Sequence, residues 1–178
     1  EYTRTGLDIG IWEQNLDYYL VNTGWPVTFM ITFNLFSVTS FSSLLQKILE
    51  WREKYNSDLN ETQWQRIKFD TPHLKDPSIY DINILPKETF MPFMYDHLDY
   101  IESNLDDYDR NKFSSLEHEK FKRIVDYMAT TVYDEDKIVE SRRNFSKWFM
   151  EHDRRRQVDK NKIFPEMIPF FEHCEELT

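Results

Sequence analysis

The chain has 178 residues, of which 40% are hydrophobic and 16% aromatic, enough to bury the core of one domain and too apolar for an intrinsically disordered segment. Its formal net charge of −10 argues against general attraction to nucleic acid or to an anionic membrane surface. With three glycines and one cysteine, Cys174, the sequence offers no glycine-rich phosphate loop, no internal disulfide and no metal cluster built from its own cysteines.

The first part of the chain predicts a helix, a buried strand and a second helix. Apolar residues recur at helical spacing over residues 8–21. Residues 27–33 are rich in β-branched and aromatic side chains, and their nearly continuous apolarity predicts a strand covered on both faces, as in a parallel sheet. Residues 41–55 place their apolar side chains on one helix face, with Thr39 or Ser40 as the N-cap.

The next segment predicts a loop and one more strand. Residues 56–62 are polar and indicate a surface loop. Two short extended pieces follow, over residues 64–69 and 78–85, and Pro72 and Pro77 separate them. Either piece can form the next parallel strand, and we prefer residues 79–85. Two parallel strands bury too little surface to make an independent sheet, so we expect that further strands complete it.

The second half of the chain is helical in pattern. One apolar stripe runs through residues 90–105. Ser114 and Glu117 predict a capping box for a second helix, and Asp134 is the predicted N-cap of a third. The aromatic segment 163–171 is interrupted by two prolines, which predicts a short tail docked on the core.

Small polar residues follow the predicted strand at residues 27–33. The carboxyl end of a parallel strand is where α/β folds place their ligands, which makes Asn34, Ser37, Thr39 and Ser40 candidates for a binding site. The simpler alternative is structural. Asn34 can satisfy backbone groups at the end of the strand, and the three hydroxyl side chains can cap the following helix.

The order of these segments resembles the C-terminal portion of a radical S-adenosylmethionine (SAM) enzyme, of the uncharacterised group with a twitch-type extension. The resemblance rests on a Tyr-x-Arg-x-Gly pattern at residues 2–6, a strand with a polar exit at residues 27–40 and a second apolar piece at residues 79–86. It extends to the tail, with Glu-His-Asp-Arg-Arg-Arg at residues 151–156 and Phe-Pro-Glu at residues 164–166.

The resemblance implies a helix-rich α/β fold: half of a radical SAM-like barrel with a few parallel strands over residues 1–86, and a C-terminal helical extension over residues 87–178, packed as one unit. The Cys-x₃-Cys-x₂-Cys loop of that family is absent from this sequence. We therefore expect a fragment that is inactive alone. SAM and an iron–sulfur cluster would belong to the full-length enzyme, and we expect neither in this chain alone. The partner of this chain would be the N-terminal half of the enzyme or a second copy of the chain.

The resemblance also suggests positions that approach the cofactor. Asn34 and Ser37 correspond to the exit of the fifth barrel strand, near the ribose and methionine of SAM. Asn83 and Leu85 correspond to the end of the sixth strand, which borders the adenine. Arg4 corresponds to a residue that positions substrate, although a structural ion pair is the simpler expectation. No catalytic residue is assigned, because the radical chemistry belongs to the cofactor and the cluster.

Two further hypotheses stay open. The chain can be a non-enzymatic acidic interaction domain that oligomerises through its strand edges. It can also be a carboxylate-rich metal protein, because His97, His118 and His152 have acidic neighbours, although adjacent helix positions point in different directions. Under each hypothesis the charge predicts no nucleic-acid partner, and the absence of an apolar run of about 20 residues predicts no membrane partner. The single cysteine and the lack of a signal peptide predict a cytoplasmic protein.

Overall fold

The computed structural model describes residues 2–4, 6–56, 65–132 and 134–178, which form a helix-rich α/β fold. Two strands, β1 (Val27–Met30) and β2 (Ile67–Asp70), pair in parallel, with Val27 opposite Ile67. The helices are α1 (Ile9–Asn22), α2 (Phe41–Asn56), α3 (Lys87–Ser103), α4 (Ser115–Thr130), α5 (Glu135–Arg156), α6 (Lys160–Ile163) and α7 (Ile168–Glu176). None of the helices described is long and apolar enough to cross a membrane.

Helices α1 and α2 confirm the periodicity of the first part of the chain. The carboxylate of Asp8, the N-cap of α1, accepts the N–H of Ile11 at 3.0 Å, and Leu16 and Leu20 bury the inner face of the helix. Helix α2 ends at Asn56. The rest of the predicted loop lies outside the described residues.

The expectation that β1 is covered on both faces is wrong. Phe29 is partly buried, because its ring packs against Trp12 of α1 and Trp51 of α2 at centroid distances of 5.6 and 5.3 Å. Thr28 and Met30 alternate with it and are exposed, Met30 by 62% of its surface. Helices therefore cover the strand on one face, and the buried pattern resumes only beyond its end.

The preference for residues 79–85 as the second strand is also wrong. These residues form two short 3₁₀ turns, Ser78–Tyr80 and Ile82–Ile84, and the second strand is β2, in the other candidate piece. The carboxylate of Asp81 starts the second turn by accepting the N–H of Asn83 at 3.0 Å. The apolar side chains of both turns that made the segment look like a strand are still buried, because the turns pack into the core.

Helices α3, α4 and α5 confirm the helical second half. Ser114 and Glu117 form the predicted capping box at the start of α4, and the carboxylate of Asp134 accepts the N–H of Asp136 at the start of α5. The final segment folds as a 3₁₀ turn, Pro165–Met167, followed by α7. Its buried side chains are Met167, Phe170, Phe171 and Cys174.

An aromatic cluster joins the β1 region to the C-terminal helices. Phe36 lies in a 3₁₀ turn, Leu35–Ser37, just beyond β1. Its ring contacts Phe149 of α5 in a T-shaped arrangement at 4.9 Å and stacks on Phe164 at 4.8 Å. Buried side chains from both halves of the chain thus belong to one core cluster.

Candidate functional site at the edge of the sheet

An open groove with a volume of about 1160 Å³ follows the outer side of β1. We call it the edge groove. It is formed by residues 28–32 with Trp12 of α1, Lys47 and Trp51 of α2, and Arg4 from the segment before α1. A groove of this size, with an apolar floor and a few polar groups at its border, has the character of a binding site for a small molecule or an extended peptide.

The outer edge of β1 is bare. Val27 and Ile31 donate their N–H groups to carbonyl oxygens of the β2 segment, each at 2.8 Å. Backbone polar groups alternate in direction along a strand, so Thr28 and Met30 direct theirs away from β2. Among the described residues, nothing bonds the N–H or C=O groups of Thr28 and Met30 on that side. The strand therefore presents unpaired donors and acceptors to the edge groove.

The outer edge of β2 is occupied by two side chains. Arg52 of α2 donates from Nε to the carbonyl oxygen of Ile67 at 3.0 Å. The N–H of Phe69 donates to Oε1 of Glu117, on α4, at 3.3 Å. Arg52 and Glu117 also form an ion pair, with 2.6 Å between Nη2 and Oε1. Of the four backbone groups that Ile67 and Phe69 direct outward, these two are bonded, and the Arg52 and Glu117 side chains lie where a third strand would pair.

The pair of Arg52 and Glu117 has further partners. Arg52 is completely buried and donates from Nη1 to the carbonyl oxygen of Lys112 at 2.7 Å. Glu117 accepts the N–H of Ser114 through its other carboxylate oxygen at 3.0 Å, within the capping box of α4. A buried ion pair is tolerated when its polar atoms are bonded, and here each side-chain nitrogen of Arg52 and each carboxylate oxygen of Glu117 has at least one partner. The pair holds α2, α4 and the closed edge of the sheet together.

Asn34 and Ser37 lie together at the carboxyl end of β1, and their side chains cap a turn. Oδ1 of Asn34 accepts the N–H of Phe36 at 3.0 Å, and Nδ2 donates to the carbonyl oxygen of Thr32 at 3.1 Å. Oγ of Ser37 accepts the N–H of Asn34 at 3.3 Å. These bonds are the structural alternative that the sequence left open. Asn34 also borders the edge groove.

Arg4 reaches the same groove from another element. Its side chain is exposed, and within the described part of the chain it makes no ion pair, so the expected structural pairing is wrong for these residues. Arg4 and Asn34 thus border the same groove.

Asn83 and Leu85 lie elsewhere. Both are 2% exposed, and they border a separate depression together with Arg142 and His173. Oδ1 of Asn83 is buried and has no partner, while Nδ2 donates weakly to Asp81 at 3.4 Å. The turn that contains Asn83 contacts the turn that begins after Asn34, but the two asparagines do not share one groove.

A buried polar cluster beyond β2 could not be recognised in the sequence. The phenol of Tyr127 donates to Oδ2 of Asp81 at 2.8 Å, and the ring of His73 packs on that of Tyr127 at a centroid distance of 4.8 Å. Nε2 of His73 is buried without a hydrogen bond, 3.9 Å from Oδ1 of Asp81. Burial lowers the pKa of His73 to about 4, and the nearby Asp81 carboxylate offsets part of that effect. His73 is therefore neutral near pH 7.

Tyr2 is a second residue whose role the sequence did not reveal. It is buried, and its hydroxyl donates to Oδ1 of Asp153 on α5 at 2.6 Å. Its ring contacts Phe36 at 5.2 Å. Burial and the bond to Asp153 both raise the pKa of Tyr2. The first residue of the Tyr-x-Arg-x-Gly pattern thus anchors its segment at the carboxyl end of β1, and that pattern is the one signal that could have indicated it.

Neither a metal site nor a similar known protein indicates the function of the described residues. Within the described ranges, no set of three or more His, Cys, Asp or Glu side chains is arranged to hold a metal ion. Comparisons with protein-family models, curated proteins and solved structures find no match to this chain. A function therefore has to be inferred from the geometry of the residues themselves.

Proposed function

We propose that the chain is the C-terminal portion of a radical SAM enzyme of unknown substrate, with β1 and β2 as the last two strands of its partial barrel. The observation that carries the proposal is the sheet. It is closed by side chains at β2 and open at β1, and Arg4 and Asn34 border the edge groove beside the open strand. The last strands of an incomplete barrel would have this arrangement, with preceding strands added only beside β1.

The residues of this chain do not fit an iron–sulfur cluster. Such clusters are held by several cysteine thiolates, and the chain has one cysteine, Cys174. It is buried in the C-terminal helix, and burial raises the pKa of its thiol to about 12, so that it stays protonated. Under the proposal, the cluster and its cysteine loop belong to other residues of the full-length enzyme.

The edge groove fits SAM in part. The groove has room for the cofactor, and the guanidinium of Arg4 is exposed at its border. The amide of Asn34 bonds Phe36 and Thr32 within its own turn, so it shapes the wall of the groove more than it offers new bonds. SAM, when bound, supplies the radical chemistry, and the residues of this chain would orient it from one side.

The test uses the whole reading frame that encodes these residues, purified without oxygen, reconstituted with iron and sulfide, and reduced with dithionite. We expect bound iron and the formation of 5′-deoxyadenosine from SAM. Arg4→Ala should lower the affinity for SAM. Arg154→Ala, on an exposed arginine that pairs with Glu151 on α5, is the matched control and should leave SAM binding unchanged.

The same experiment can reject the proposal. A reading frame without a Cys-x₃-Cys-x₂-Cys loop upstream of these residues, or a full-length protein that holds iron but forms no 5′-deoxyadenosine, would contradict it. The 178-residue chain alone should show no measurable SAM binding by calorimetry.

A second candidate function rests on the bare edge of β1 alone. An acidic interaction domain could use this edge to pair with a second copy of itself. Sedimentation equilibrium distinguishes the two proposals. Dimerisation that Thr28→Pro abolishes and Thr28→Val retains would favour the interaction domain, because only proline removes the outward N–H of that residue.

A further inference from the structure

We propose that a depression beside Arg142 binds a small zwitterion, a free α-amino acid, with the ligand carboxylate at Arg142 and the start of α3 and the ligand ammonium toward Glu88. We call it the Arg142 depression. It has a volume of about 450 Å³ and is formed by residues 83, 85–88, 138, 142 and 173. It shares no residue with the edge groove, so the inference does not rest on the enzyme proposed above.

Arg142 of α5 has a free guanidinium nitrogen beside this depression. Its Nε donates to the carbonyl oxygen of Ile84 at 2.7 Å, and Nη1 lies 3.3 Å from Nε2 of His173. Because a guanidinium only donates, Nε2 of His173 is the acceptor. Among the described residues Nη2 has no partner, and it is not sealed off from solvent. Two bonds therefore hold the guanidinium in place and leave one nitrogen for a ligand.

The charge of Arg142 has no counter-ion within bonding distance in the described part of the chain. Arg142 is partly buried, and burial lowers the pKa of its guanidinium because desolvation outweighs the attraction of Glu88. The buried Arg52 differs, since Glu117 pairs with it at 2.6 Å. An anion bonded to Nη2 would compensate for the desolvation of Arg142, and a guanidinium suits a carboxylate in both charge and shape.

The first turn of α3 adds N–H donors to the same depression. No side chain caps this 17-residue helix at its N-cap residue, Pro86. The N–H groups of Lys87 and Glu88 have no partner among the residues that the structure describes. The helix dipole places partial positive charge at this end. Because Pro86, Lys87 and Glu88 border the depression together with Arg142, an anion there meets both the guanidinium and the helix N-terminus.

Two acceptors at the depression favour a ligand that also carries a positive charge. Glu88 is exposed and makes no ion pair within the described ranges. Oδ1 of Asn83 is buried in the wall of the depression without a hydrogen-bond partner. Glu88 would repel a simple carboxylate or a phosphate bound at Arg142. An α-amino acid carries a carboxylate and an ammonium on neighbouring carbon atoms, so it can bind to Arg142 and Glu88 together.

The remaining wall of the depression is apolar and sets the choice of probe. Leu85, Pro86 and Ile138 line it, which favours an aliphatic side chain. The test is therefore titration of the 178-residue chain with L-leucine, followed by NMR. We expect saturable shifts of the backbone amides of Lys87 and Glu88 and of the Nε–H of Arg142. Two analogues, 4-methylpentanoate without the ammonium and 3-methylbutylamine without the carboxylate, should each bind about tenfold more weakly.

Variants at the two charged residues separate the site from general effects. Arg142→Met should weaken L-leucine binding about tenfold, and Arg142→Lys should weaken it less because the charge is kept. Glu88→Gln changes an exposed side chain, so the fold should be retained. It should weaken binding of L-leucine and strengthen binding of 4-methylpentanoate, each about threefold. Glu53→Gln, at an exposed glutamate of α2, is the matched control and should change neither affinity.

The inference would be overturned if L-leucine gave no saturable shifts at concentrations up to about 10 mM. Equal binding of either analogue would also overturn it, as would inorganic phosphate that shifted the same amides when L-leucine did not. If Arg142→Met does not fold, Glu88→Gln still decides, because equal effects on L-leucine and 4-methylpentanoate would contradict the site. None of these outcomes depends on 5′-deoxyadenosine formation, so this inference and the proposed enzyme fail separately.

Discussion

The two edges of the sheet are built in opposite ways. At β2, a guanidinium and a carboxylate from two helices bond one C=O and one N–H that a neighbouring strand would use. At β1, the equivalent groups of Thr28 and Met30 face an open groove. Among the described residues, side chains therefore bond the outer backbone groups of the sheet on one side only. A buried ion pair can replace a strand, and where no such pair exists the strand remains ready for a partner.

The largest expected effect comes from breaking the closed edge. Arg52→Met removes the charge and leaves Glu117 buried without its partner, so we expect the free energy of unfolding to fall by about 4 kcal/mol in urea denaturation. Arg154→Met removes an arginine from an exposed ion pair with Glu151 and should change stability little. Equal stability of Arg52→Met and the parent chain would show that the β2 edge does not need this side chain.

A double variant separates the ion pair from the backbone bonds. Replacing a buried ion pair by apolar residues is often neutral for stability. Here Arg52→Met combined with Glu117→Met would still leave the carbonyl oxygen of Ile67 and the N–H of Phe69 without partners. We therefore expect a residual loss of about 2 kcal/mol in the same urea experiment. Full recovery in the double variant would contradict the role of the pair as a substitute for a strand.

The next effect is a pH dependence of the free energy of unfolding that comes from His73. This residue lies just beyond the carboxyl end of β2 and forms an isolated parallel bridge with Phe33. The pKa of His73 is about 4 in the folded chain and about 6.5 when unfolded. Between these values the unfolded chain binds a proton that the folded chain does not. The free energy of unfolding therefore falls as the pH is lowered from 6.5 to 4, by up to about 3 kcal/mol.

A His73→Phe variant isolates this contribution. It keeps an aromatic ring against Tyr127 and cannot take up the proton. Thermal unfolding of both proteins between pH 7 and pH 4.5 should show a smaller loss of stability for the variant. Parallel curves for the two proteins would mean that His73 does not titrate differently on folding.

Proline substitutions compare the two sides of β1 directly. Phe29→Pro removes an N–H that faces β2, and Thr28→Pro removes one that faces the groove. After subtracting the effects of Phe29→Ala and Thr28→Ala, we expect the proline at Phe29 to cost about 2 kcal/mol more than the proline at Thr28. The measurement is the free energy of unfolding of all four variants. Equal costs would mean that both sides of the strand are bonded.

The smallest effect is at the turn beside the groove. Asn34→Ala removes the cap of the Leu35–Ser37 turn and should cost about 1 kcal/mol, because the N–H of Phe36 loses its acceptor. Asn34→Ser can still cap the turn and should cost less. Similar losses for both variants in thermal unfolding would indicate that the side chain acts through something other than the cap.

The helices could be predicted from the sequence because each has a strong local signal. The periodicity of α1 and the capping box of Ser114 and Glu117 depend on residues close together in the chain. The choice between the extended pieces at residues 64–69 and 79–85 as the second strand could not be made in this way. Both are short, and only tertiary packing decides which one pairs.

The features of the candidate site depend even more on distant contacts. The sequence indicated Asn34 and Arg4, which do border one groove. It gave no indication of the pairing of Arg52 with Glu117, which are 65 residues apart and belong to different helices. The capping bond of Glu117 to Ser114 could be predicted, but the bonds that its other oxygen, Oε1, accepts from Arg52 and Phe69 could not. Bonds between residues so far apart depend on how the helices pack, and no short sequence motif indicates them.

Amide hydrogen exchange in the 178-residue chain tests the central comparison most directly. The amides of Thr28 and Phe69 both point to an outer edge of the sheet, one toward the groove and the other toward Glu117. Exchange of the Thr28 amide should be on the order of 100-fold faster than that of Phe69. Equal protection of the two amides would contradict the account, because it would show that the edge of β1 is covered as completely as the edge of β2.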